Sequence, residues 1–223
     1  MSGLPSSSDF AVNLEPRCAC ALLLDRSASM SGPKIDQLNE GVRLLFSEIQ
    51  KDELARNRVE LSIVSFGGSV DTDLDFQPIS SVQPPILQAG GDTPMGSAIR
   101  TGIEAIASRK AIYKANGVKY FRPWLFLLTD GEPTDDEWEM QAVAVHNGTA
   151  AKQFEFFAVG VDGANLATLK RIAPPERPPL QLNGLNFSAL FQWLSASLSQ
   201  VSRSAPGTAG LNLPPVGWGT AST

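Results

Sequence analysis

Apolar residues in this chain keep two rhythms and, in places, none. Residues 17–24, 59–66, 124–129 and 155–161 carry short, nearly unbroken apolar runs. Runs of that length bounded by turn residues predict buried strands, and a shorter one follows at 180–182. Segment 70–76 instead alternates, with Asp71, Asp73 and Asp75 set between Val70, Thr72, Leu74 and Phe76. That period of two predicts a half-exposed edge strand, antiparallel to 59–66 across the Gly67-Gly68 break. Steps of three and four predict helices. Ile35, Leu38, Val42, Leu45, Phe46 and Ile49 mark one over 34–56. Ile99, Ile103 and Ile106 mark another over 95–116, with Pro94 at its start. Leu190, Phe191, Leu194, Leu198 and Val201 mark a third over 187–202. A fourth begins with Thr134 as N-cap and Glu137 three residues on, the pattern of a capping box. A short one spans 165–172.

Strands and helices therefore alternate. The expected fold class is α/β: a doubly wound, mostly parallel central sheet with one antiparallel edge strand and helices on both faces. The expected organisation is a flexible arm over 1–13, one domain over 14–203 and a Pro/Gly-rich tail over 204–223. The tail, SAPGTAGLNLPPVGWGTAST, cannot form a core of its own. Two readings of it stay open. It is a disordered segment holding a linear motif, or a strap that packs Leu211, Leu213 and Trp218 back on the domain.

Composition narrows the function classes. Hydrophobic residues make up 43% of the 223, enough for a core and too many for disorder. A net charge of −5 argues against nucleic acid, whose phosphates call for a basic surface, and suits a site that attracts cations. No apolar run approaches the ~18 residues of a membrane span. The start, MSGLPSSSDF, has neither the basic nor the apolar region of a secretory leader. The expected location is the cytoplasm. Cys18 and Cys20 point the same way in a strand. Their spacing suits neither a disulfide nor a zinc pair, so both are expected to be small buried residues.

The candidate chemistry starts where the first strand stops. Asp25 ends the run, hydroxyls follow at Ser27 and Ser29, and Gly32-Pro33 comes next. Such a strand end puts hard oxygens at the carboxyl edge of a sheet, where open α/β folds bind ligands. One carboxylate and two hydroxyls hold a divalent cation poorly, and two later stretches add more oxygen. Asp92-Thr93-Pro94-Met95-Gly96 brings Thr93 ahead of a helix. The strand 124–129 ends in Asp130-Gly131-Glu132-Pro133. Taken singly, each of these residues reads as a cap or a turn. Gly90, Gly91 and Gly96 read as loop geometry, and Glu132 is an extra acid with no assigned role.

Together, Asp-x-Ser-x-Ser, GGDTPMGSAI and TDGEP resemble the metal-ion-dependent adhesion site (MIDAS) of von Willebrand factor A (VWA) domains. The resemblance covers roughly residues 17–201. Within the family, the chain looks most like the stand-alone bacterial TerY-like group linked to tellurium resistance. The resemblance implies a metal site made of Asp25, Ser27, Ser29, Thr93 and Asp130. The ion would be Mg²⁺, with Mn²⁺ or Ca²⁺ as alternatives. Ser27 and Ser29 would bind it directly. Thr93 would do so directly or through water. Asp25 and Asp130 would bind directly or through water and orient the hydroxyls. Neutral ligands leave the ion electrophilic, so an Asp or Glu carboxylate from a partner protein would complete its shell. The TerY-like resemblance further implies an interaction module in bacterial stress response, with a Ser/Thr kinase or phosphatase as partner.

Other classes fit less well. A Mg²⁺-dependent phosphohydrolase also begins with strand-Asp, but Ser27 stands where such enzymes keep an acid/base carboxylate. His146 is the single histidine, and no Gly-x-Ser-x-Gly or phosphate loop accompanies it. Catalysis is therefore not expected. A metal-independent scaffold acting through the tail is the remaining alternative. Asp71, Asp73 and Asp75 resemble the opening of a calcium loop, but Val82 stands where an EF-hand needs glutamate. A solvated strand face is the expectation there.

Overall fold

In a computed structural model, residues 13–207 and 213–221 are described. The arm expected over 1–13 lies outside them except for Asn13, as does Leu211 of the tail. Strand β1 (Cys18–Asp25) is buried along its whole length. Its side chains alternate between faces, as the pleat demands. Cys18, Cys20, Leu22 and Leu24 enter one core, and Ala19, Ala21 and Leu23 enter the other. The chain continues through α1 (Pro33–Lys51), α2 (Glu53–Arg58), β2 (Val59–Gly67), β3 (Ser69–Pro78) and α3 (Met95–Ala115). Then come β4 (Trp124–Thr129), α4 (Trp138–Ala150), β5 (Glu155–Gly160) and α5 (Leu166–Ile172). Last are β6 (Leu180–Leu182), α6 (Phe187–Arg203) and β7 (Gly219–Ala221).

These strands form one seven-stranded sheet in the order β3-β2-β1-β4-β5-β6-β7. Pairs from β2 through β6 are parallel, and the edge strands β3 and β7 are antiparallel. Helices α1 and α6 cover one face, and α3, α4 and α5 supply the core of the other. The mostly parallel, doubly wound reading of the sequence holds. On β3, Leu74 and Phe76 are buried while the three aspartates stay exposed. Asp71 takes an ion pair from Arg26, and Asp73 accepts from the Ser65 N–H at 3.1 Å.

Two features differ from the expected outline. The helix expected over 34–56 is two helices. At Asp52 the backbone turns extended, and the Asp52 carboxylate accepts from the N–H groups of Leu54 and Ala55, both at 3.1 Å. This is an N-cap just beyond Ile49, the last residue of the apolar stripe. The sheet also gains a second antiparallel edge from the tail. Strand β7 pairs with β6, and the Asn183 N–H donates to the Trp218 carbonyl at 2.9 Å. Trp218 is only 2% exposed, its ring set edgewise 5.5 Å from that of Trp193. The Trp193 indole N–H donates to the Pro214 carbonyl at 2.8 Å, and Leu213 packs on the same core. For residues 213–221 the strap is the reading the structure supports.

Burial, with Glu60 adding, pushes the Cys18 thiol up to about 12, and burial raises Cys20 well above its ordinary value. Both thiols are free, buried and protonated at neutral pH, so they act as core residues. Among the described residues, no helix is long and apolar enough to cross a membrane.

Candidate metal centre

Strands β1 and β4 are parallel neighbours, with Leu24 opposite Leu128. Asp25 and Asp130 therefore leave the sheet at the same edge. From β1 the chain runs outward to β2 and β3, then crosses back to β4 on the other side of β1. The two aspartates thus flank a topological switch point, where a crevice opens at the carboxyl ends of the strands.

Thr93 reaches this crevice because three loops are stitched together. Ala28 N–H donates to the Gly91 carbonyl at 2.9 Å, Gly90 N–H to that of Arg26 at 2.8 Å, and Gly68 N–H to that of Asp92 at 2.9 Å. The loops approach so closely that a Cβ on Gly91 would stand 2.4 Å from the Gly68 backbone, and Gly91 has φ 75°. Only glycine fits there. Thr93 is then tied to the loop after β4 by two bonds. Its N–H donates to the Thr134 hydroxyl at 3.0 Å, and the Thr134 N–H donates to its carbonyl at 2.9 Å.

The capping box expected at Thr134 and Glu137 does not form. Helix α4 starts at Trp138 without a side-chain cap. The polar residues before it serve the neighbouring helix instead. Helix α3 has Pro94 at its cap position, with no side-chain oxygen to offer its first N–H groups. The Asp135 carboxylate fills that role from across the loop, accepting from Gly96 N–H at 3.0 Å and Ser97 N–H at 2.7 Å. Glu137 pairs with Arg100 of the same helix at 3.0 Å. Asp135→Ala is therefore expected to cost about 1–2 kcal/mol, the usual loss for a missing N-cap. Urea unfolding at unchanged m-value would show it, with Asp135→Asn retaining most of the stability.

Inside the crevice the oxygens form a chain. Asp25 Oδ1 accepts from the Ser27 N–H at 2.7 Å, and Oδ2 accepts from the Thr129 hydroxyl at 2.5 Å. The Ser29 hydroxyl donates to Asp130 Oδ1 at 2.6 Å, and the Ser27 and Ser29 oxygens are 3.0 Å apart. With the Ser29 proton given to a carboxylate, the Ser27 proton is left for Ser29 or for Asp25. The Ser27 lone pairs are left available for a cation. A Cβ placed on Gly131 would lie 3.3 Å from Thr93 Oγ1 and 3.9 Å from Asp25 Oδ2. The hydroxyl and the carboxylate thus face one small space that a side chain at 131 would enter. Asp25, Ser27, Thr93 and Asp130 are buried, and Ser29 is exposed at the mouth.

Burial pushes the Asp25 carboxyl above the usual carboxylate range. Hydrogen bonds from Ser27 and Thr129 pull it down, and the charge of Asp130 adds to the rise. Among the described residues no ion pair is assigned to Asp25, whereas Asp130 Oδ2 meets Lys34 Nζ at 2.5 Å. Lys34 also donates to the Asp162 carbonyl at 2.8 Å. Among the described residues, no group of three or more His, Cys, Asp or Glu side chains is arranged to hold a metal ion by itself. A cation here would have to draw on hydroxyls, and the five expected residues supply three hydroxyls and two carboxylates. That hard-oxygen set fits Mg²⁺ or a similar ion.

Thr129, Thr134 and Lys34 were not among the expected site residues. Thr129 reads as the last residue of a strand, Thr134 as a local cap, and Lys34 as an ordinary residue early in a helix. Glu132 accepts from the side-chain amide of Asn165, the N-cap of α5. His146 hydrogen-bonds the Ala173 carbonyl at 3.0 Å, beyond the end of α5.

Residues 20–189 match the family model described as the von Willebrand factor type A domain. The collagen alpha-1(XII) chain of Notophthalmus viridescens is similar at 24% identity, covering 96% of this chain and 22% of that one. Among solved structures, the open conformation of the pilus adhesin SpaC from Lactobacillus rhamnosus GG superposes with TM-score 0.66 at 14% identity. It covers 84% of this chain and 31% of SpaC. The PilB minor pilin from Streptococcus sanguinis gives 0.60 at 13% identity, covering 84% of this chain and 62% of PilB. BatB from Bacteroides thetaiotaomicron gives 0.54 at 17% identity, covering 84% of this chain and 100% of BatB. At such identities the superpositions show a shared fold. The chain spans about a fifth of the collagen relative and less than two thirds of either pilus protein.

Proposed function

Because this chain belongs to the von Willebrand factor A family, whose domains serve protein–protein interaction and metal-dependent adhesion, we propose that it is a metal-dependent binding module. Ser27 and Ser29 would hold Mg²⁺, or Mn²⁺ or Ca²⁺ in its place, through their hydroxyls. Thr93 would join them directly or through water. Asp25 and Asp130 would balance the charge and aim the hydroxyls, as Asp130 already does with Ser29. When bound, the ion would supply a Lewis-acid position for an Asp or Glu carboxylate of a partner protein.

The observation that carries this reading is the buried Asp25 carboxylate. It has hydrogen bonds but, among the described residues, no assigned counter-ion, and it stands beside a second aspartate and a chain of hydroxyls. A buried carboxylate pair is costly without added positive charge, and Lys34 pairs only with Asp130. Binding is favoured over catalysis because Ser27 occupies the place of an acid/base carboxylate and His146 is engaged with Ala173. Within the family, the narrower likeness we propose is to the bacterial TerY-like group. Its partner would then be a Ser/Thr kinase or phosphatase in a cytoplasmic stress response.

The test is affinity capture on the immobilised chain in Mg²⁺, repeated with EDTA and on an Asp25→Asn column. The reading expects a retained protein that EDTA releases and the variant does not hold. Retention that ignores both changes would move the interface off this edge, with the strap as the next surface to test.

A further inference from the structure

Lys34 is placed against an ordinary helix preference. It is the second residue of α1, a 19-residue helix that opens with Pro33 and has Asp36 in its first turn. The amino end of a helix carries partial positive charge, so a lysine there is disfavoured. The site offsets that cost. Lys34 Nζ lies 2.5 Å from Asp130 Oδ2, on a carboxylate with no exposed side-chain surface, and donates to the Asp162 carbonyl at 2.8 Å. Both oxygens of Asp130 are thereby engaged, one by the Ser29 hydroxyl and one by an ammonium. Among the described residues Asp25 has no such cation assigned, so these residues place two carboxylates and one built-in positive charge at the site.

We propose that Lys34 is a tethered cation that sets the affinity of this site for divalent ions. The inference rests on the metal-binding reading above. Without a divalent ion, Lys34 neutralises Asp130 and keeps the two carboxylates from acting as an unbalanced pair. A divalent ion that draws on Asp130 has to share it with Lys34 and sit near its charge. Lys34 therefore stabilises the metal-free state and weakens metal binding, which makes loading depend on the ambient ion concentration. Through Asp162, the same ammonium joins the site to the turn after β5.

The test uses the full chain with Lys34→Met, which keeps the stem and removes the charge, and Lys34→Arg, which keeps the charge. Mg²⁺ is titrated calorimetrically into each. Lys34→Met is expected to bind about tenfold tighter, the scale of a partly screened charge a few ångströms away, with Lys34→Arg close to wild type. In EDTA, Lys34→Met is expected to melt below wild type because Asp130 has lost its counter-charge, and saturating Mg²⁺ removes that deficit. If wild type binds Mg²⁺ and Lys34→Met binds equally or more weakly, Lys34 is only a strut and the proposal is overturned. If neither binds Mg²⁺ while both fold, the metal reading itself fails and this inference falls with it.

Discussion

Glu60→Ala is expected to lower the stability of this domain by about 3–5 kcal/mol, the cost of leaving buried charges uncompensated. Glu60 lies at the amino end of β2, the end of the sheet away from the candidate metal centre, and is 1% exposed. Its carboxylate pairs with Arg109 at 2.7 Å and with Arg17 at 3.1 Å, both nearly fully buried, and accepts from the Tyr113 hydroxyl. Burial and then the charge of Glu60 raise Tyr113 well above its ordinary value, so the phenol remains a donor. Arg17 has other anchors, donating to the carbonyls of Asn13, Glu15 and Asn57. Arg109 also has the Tyr113 ring 5.2 Å from its guanidinium carbon. Glu60→Gln keeps the shape and loses the charge, and is expected to retain most of the deficit. Glu40→Ala removes an exposed partner of Arg43 and should change stability by no more than about 0.5 kcal/mol. Denaturant midpoints at constant m-value decide this. A Glu60→Ala change under 1 kcal/mol would mean that water solvates the arginines.

Trp218→Ala is expected to cost a similar amount, about 3–5 kcal/mol, the range for emptying a buried aromatic site. The indole completes a run of rings from Trp124 through Phe157 and Trp193, with centroids 4.6, 6.2 and 5.5 Å apart in turn. Strand β7 is only three residues long, too short to hold an edge by its ladder alone. Trp218 is the anchor, and losing it should free the strap. Limited proteolysis should then cut the variant between the end of α6 and β7 well before wild type. Unchanged stability with unchanged cleavage would show that the strap is held elsewhere.

The two strand ends that define the site were legible because each requires a buried run to stop at an aspartate. The α/β class followed from apolar periods that tertiary packing reinforced. What escaped the sequence was long-range use of polar residues. Asp135 and Thr134 sit three and four residues ahead of α4, so local rules assign them to that helix. They bond to the Thr93 loop and α3 because Pro94 leaves that helix uncapped. Lys34 carried no local signal, since its partner lies 96 residues away. The break at Asp52 was hidden because the apolar stripe ends near it, and only the capping side chain marks the boundary. The strap was left open since three-residue strands have no periodicity to read.

On the proposed reading, hydroxyls, and not carboxylates alone, hold a divalent ion at the β1–β4 edge. The most direct measurement is calorimetric titration of Mg²⁺ into wild type and into a Ser27→Ala, Ser29→Ala variant. That variant keeps every acidic residue and the net charge of −5. The account predicts one ion bound by wild type and a loss of about 100-fold or more in the variant, with the fold intact by circular dichroism. Equal affinity in the two proteins would contradict it, because the ion would then be held by surface carboxylates and not by this centre.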